Sequence, residues 1–161
     1  MFTAEPQEFR TRSPPGCRGR HHVRGDAGAW THRQGLFYGT SGRINQITVG
    51  DTRSGNQPWT ASAQVGSFTN AATNETFSGD LLGWHPYVST ALDVTGNVDP
   101  RIIPGPVLEP GIGSSLLPRT LATATPGKTA GLVQLDARLK LFIPASASNG
   151  RYSATITFTV I

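Results

Sequence analysis

From residue 36 onward, apolar and polar side chains alternate with a period of two. In 58–66, Trp59, Ala61, Ala63 and Val65 are interleaved with Thr60, Ser62 and Gln64. In 132–143, Val133, Leu135, Ala137, Leu139, Leu141 and Ile143 alternate with Gln134, Asp136, Arg138 and Lys140. In 151–161, Tyr152, Ala154, Ile156, Phe158 and Val160 alternate with Ser153, Thr155, Thr157 and Thr159. Such alternation marks a strand with one face buried and the other wet. Weaker strand signals cover 44–49, 77–82, 102–108 and 121–125. Turn residues separate the runs. The stretch 50–58 joins the first two strands, and 144–150, ending in Asn149-Gly150, predicts an antiparallel hairpin between the last two. No segment carries a capped i, i+3, i+4, i+7 stripe. The pattern predicts an all-β fold, an antiparallel β-sandwich of immunoglobulin-like or jelly-roll-like kind. Residues 83–118 are irregular and rich in Pro and Gly, so a surface excursion with one or two short strands is expected there.

Residues 1–35 lack this alternation and are expected to be a disordered leader, with the folded domain spanning 36–161. The leader holds six arginines against three acids; the remaining residues hold eight basic and seven acidic groups. The formal charge of +4 therefore sits mostly in the leader, and the folded part is not expected to bind nucleic acid. The leader admits three readings: a phosphate-binding arm, a solvated tail, or a GC-rich stretch read out of frame. No basic and apolar leader of the secretory kind follows Met1, and no apolar run reaches the roughly 18 residues of a membrane span. Cys17 is the single cysteine, too few for an intrachain disulfide or a cysteine zinc site. About 125 residues suffice for a core without either.

The candidate chemistry is sparse. His85, between Trp84 and Pro86, is the one histidine of the 36–161 part. No G-x-S-x-G elbow accompanies it, and Ser114-Ser115 carry no mark of activation. Seven acids are scattered, and the stretch 93–99 lacks the calcium-loop spacing, so it reads as a turn. Catalytic residues, a metal and a cofactor are therefore not expected, and the chain reads as a non-enzyme. The aromatics say more. Trp59 opens a strand on its apolar side. Trp84 and Tyr87 lie in a loop-like stretch, where an exposed ring could stack on a sugar or anchor a partner; the alternative is that Trp84 plugs the end of the sandwich. Tyr152 looks like a tyrosine corner, a structural role in which the hydroxyl satisfies a backbone group.

The stretches ITVGDTRSGNQPWTA (47–61), LGW (82–84), IPA (143–145) and GRYSATITFTV (150–160) together resemble WxL-type cell-surface domains of Gram-positive bacteria, most nearly the WxL-like domains of actinobacteria. The resemblance covers about 36–161. It implies a secreted, extracellular β-sandwich that associates non-covalently with the cell wall through peptidoglycan. The first Trp-x-Leu motif falls on Trp59-Thr60-Ala61, with Ala in the Leu position. The second falls on Phe158-Thr159-Val160, where both named positions differ. On this resemblance Trp59, Trp84 and Phe158 are the expected ligand-binding residues. The alternative is a structural or adhesive surface-layer domain that binds other surface proteins rather than glycan.

Overall fold

The computed structural model describes residues 7–12 (backbone only), 36–51, 57–93, 102–112, 115–127 and 131–161. Ten strands follow in chain order: β1 Gln7–Arg12, β2 Phe37–Asp51, β3 Trp59–Val65, β4 Phe68–Asn70, β5 Thr76–Phe77, β6 Leu82–Asp93, β7 Ile102–Pro104, β8 Arg119–Ala124, β9 Gly131–Pro144 and β10 Arg151–Val160. Every pairing is antiparallel. One sheet runs β5-β4-β10-β3-β8-β7, with β1 on the other side of β10. The second runs β2-β9-β6.

The period of two decides which side chains meet. In β9, Val133, Leu135, Ala137, Leu139, Leu141 and Ile143 are all buried, while the residues between them reach solvent. β3 buries Trp59, Ala61, Ala63 and Val65, and β10 buries Tyr152, Ala154 and Ile156. Residues of both sheets belong to one hydrophobic cluster, so the sheets press their apolar faces together as a sandwich. The weaker strand signals are also occupied: 44–49 lies inside β2, 102–108 starts with β7, and 121–125 overlaps β8.

The structure departs from the sequence reading in four places. Gln7–Arg12, inside the expected disordered leader, pairs with Arg151–Ile156 of β10; the rest of the leader, with Cys17, lies outside the described residues. The expected hairpin between the last two strands is absent. β9 pairs with β2 and β6, whereas β10 pairs with β1, β3 and β4, so the 144–150 link crosses from one sheet to the other. Gly150 is not at positive φ. It is small because a Cβ there would run into the Asn70 amide; the Asn-Gly signal reflects close approach rather than a two-residue turn. Within 77–82, β5 ends at Phe77, and Ser78 caps a 3-10 turn at Gly79–Leu81 by accepting from the Asp80 N–H at 3.1 Å.

The fourth difference lies in 83–118, whose first eleven residues continue β6. Gly83 and Pro86 argue against a strand locally, but β6 is an edge strand. The Trp84 N–H and C=O point out of the sheet and bond Leu108 at 2.8 and 2.9 Å. Two residues further on, Pro86 occupies a position whose N–H would point the same way, and an edge tolerates its loss. Gly83 lets the strap at 108–110 lie against the strand, since a Cβ would clash with the Leu108 carbonyl and the Pro110 ring. The strap is held again where the Gly111 N–H donates to the Asp80 carbonyl at 2.7 Å.

Among the described residues Trp84 is the largest fully buried side chain, and its indole N–H has no protein acceptor there. Truncating a core tryptophan costs about 3–5 kcal/mol. Trp84→Ala should therefore lower unfolding stability by that amount in urea titration. Trp84→Phe keeps most of the apolar volume and removes an unpaired donor, so its loss should be less than half as large.

Candidate functional site

Trp59 begins β3 and is 2% exposed; Trp84 lies within β6 and is 1% exposed. Both rings point into the core, so neither can stack on a ligand while the domain is folded. Trp84 is thus a strand residue of the core, not an exposed loop aromatic. Phe158 sits opposite Ala63 and packs, half-buried, against the core. The two segments matched to the Trp-x-Leu motifs lie on neighbouring strands, offset so that only Val160 and Ala61 are partners. Phe158, Thr159 and Val160 pair with Ala63, Ser62 and Ala61. Thr60 and Ile161 exchange backbone hydrogen bonds of 2.9 and 3.1 Å. Residues 94–99 and Ser114 fall outside the described residues.

Tyr152 is fully buried, against Phe77 at a ring separation of 5.1 Å. Its hydroxyl lies 2.8 Å from Glu75 Oε2 and 3.2 Å from the Ser148 carbonyl oxygen. The Glu75 carboxylate also accepts from the Ser148 N–H, at 3.0 and 3.2 Å to its two oxygens, and from the Ser148 hydroxyl. One carboxylate thus fastens the turn after β4 to the 144–150 link. The donated bonds, first those of the Ser148 hydroxyl and N–H and then that of Tyr152, hold Glu75 below its ordinary carboxylate pKa. A carboxylate so stabilised is a weak base, and the cluster acts as a clasp. Sequence reading missed Glu75, which lies 77 residues from Tyr152.

The polar sides of the two sheets differ. On the larger sheet, β10 presents Thr155, Thr157 and Thr159. On the β2-β9-β6 sheet, Arg138 is flanked by Arg43 on one side and His85 on the other. All three are exposed, and they share the outer face because Ala137 and Leu139 on either side of Arg138 point inward. The next outward position of β9 is Lys140, opposite Ser41 and Gly83. Aromatic rings support the cations. The Arg138 guanidinium lies 6.0 Å from the Tyr87 ring centre and Lys140 Nζ lies 5.3 Å from that of Phe142, which in turn is 6.1 Å from Phe37. Lys140 pairs with Glu109 of the strap at 3.7 Å. Asp136, opposite Tyr87, is an acid of this face.

No protein-family model, curated protein or solved structure matches this chain.

The outer face offers donors and positive charge. Among the described residues no group of three His, Cys, Asp or Glu side chains could hold a metal, and no helix is long and apolar enough to cross a membrane. The face was not visible in the sequence. Arg43, His85 and Arg138 are far apart along the chain, and only strand register aligns them.

The Glu75 clasp has a defined pH signature. Folding lowers the Glu75 pKa, so its stabilisation is complete above the unfolded value and fades as pH falls through the folded one. Melting temperature should drop on acidification below about pH 4.5, the ordinary value. Glu75→Gln should melt lower at neutral pH and lose part of that acid dependence in a calorimetric pH series.

Proposed function

We propose that this domain is a non-enzymatic, extracellular module that associates non-covalently with the bacterial cell wall. The observation that carries the reading is the exposed outer face of the β2-β9-β6 sheet, where Arg43, Arg138 and His85 stand in one row beside Lys140. A face of this kind suits many weak contacts along a polymer rather than one deep pocket. The placement of Trp59-Thr60-Ala61 and Phe158-Thr159-Val160 on paired strands, meeting at Ala61 and Val160, supports the WxL-like reading, with these residues holding the fold. Wall contact then falls to the outer polar side chains, and Trp59 and Trp84 act from inside as core.

A second reading, an adhesive domain that binds surface proteins, has its own observation. Ile103, Val107, Ile112, Leu116 and Leu117 are each at least 42% exposed in the segments after β6, and exposed apolar side chains favour protein contacts.

Cosedimentation with purified Gram-positive cell walls separates the two. The wall reading expects the protein in the pellet at physiological salt, and a soluble protein under those conditions would refute it. The adhesive reading expects self-association in sedimentation velocity, abolished by Leu117→Ser with Ile112→Ser.

A further inference from the structure

We infer that the outer face of the β2-β9-β6 sheet takes an anionic wall polymer with closely spaced phosphodiester groups, gripped chiefly by Arg43 and Arg138. This rests on the wall-binding reading and names the polymer that would occupy that face.

Arg43 and Arg138 are directly opposite one another on neighbouring strands, about 5 Å apart at the backbone. Like charges placed so destabilise a sheet, and among the described residues neither guanidinium pairs with a carboxylate. Asp136 lies two residues before Arg138 on the same face and opposite Tyr87 rather than Arg43. Glu109, the nearest other acid of this face, is engaged by Lys140. The fold thus sets two arginines without a carboxylate partner at opposing positions of neighbouring strands, with His85 completing the row.

A neutral glycan would leave that repulsion in place. A polymer with an anionic group on each unit removes it, because a guanidinium fork matches phosphate oxygens with two parallel hydrogen bonds. The ring under Arg138 restricts the side chain before binding, which lowers the ordering cost. The same rings argue against a nucleic-acid strand. Single-strand binders offer open aromatic faces on which bases stack. Here Tyr87 lies under Arg138 and Phe142 under Lys140, so the rings beside these cations are covered rather than open to a base.

The test uses the full chain, with purified walls before and after acid removal of their phosphate-linked polymers, and the extracted polymer in solution. Arg43→Gln and Arg138→Gln, singly and together, are compared with the parent. Both residues are exposed, so their melting temperatures should be unchanged or slightly raised. Affinity for intact walls should fall at least tenfold on stripping. The slope of log affinity against log salt should shrink by about one for each arginine removed. Equal binding to stripped walls, or an unchanged slope in the double variant, would overturn the phosphodiester assignment and leave wall binding standing. Failure to bind either wall preparation would remove both. Displacement by duplex or single-stranded DNA at lower phosphate concentration than the extracted polymer would make nucleic acid the occupant and overturn the inference.

Discussion

The inner faces of β9 and β10 must both stay dry, although the two strands hydrogen-bond within different sheets. That requirement organises the domain. It fixes the 144–150 link as a crossing between layers and brings Tyr152 to the point where the chain changes sheet. The Tyr152 hydroxyl cannot be buried there without partners, and Glu75 and Ser148 supply them. The clasp is therefore the polar cost of joining two apolar faces by a short connection, met locally.

With the inner positions committed, each sheet has only its outer positions left for chemistry. β10 follows Arg151 and Ser153 with Thr155, Thr157 and Thr159 at these positions, branched side chains that suit a strand. β9 spends its outer positions on Asp136, Arg138 and Lys140. Its neighbours β2 and β6 add Arg43 and His85 at the matching register. The outer side of the β2-β9-β6 sheet thus carries a cluster of cations. A net charge summed over the chain conceals this, because the folded part is nearly neutral while one of its faces is not.

The strong alternation of 58–66, 132–143 and 151–161 made β3, β9 and β10 readable from sequence, since burial on one face leaves a local record. Strand partners leave none. Asn149-Gly150 looked like a hairpin because a turn residue and a close-packing residue are both glycine. β6 was hidden by Gly83 and Pro86, which break central strands but are admitted at an edge covered by the Leu108 strap. Gln7–Arg12 was hidden because a strand beside β10 can be held by backbone bonds without an apolar stripe. Trp84 was legible as an aromatic of interest, yet whether it faced a ligand or the core depended on β6 being a strand. The Arg43–Arg138–His85 row and the Glu75–Tyr152 contact are tertiary in origin, and no window of sequence contains either.

The covered rim of β6 has a further consequence. Where copies of a protein are crowded, bare sheet margins tend to join into fibres. On this margin Trp84 has already spent its two backbone groups on Leu108, and Pro86 has no hydrogen to give. A neighbouring copy would find little to pair with along 84–86, so that part of the rim resists joining to another sheet.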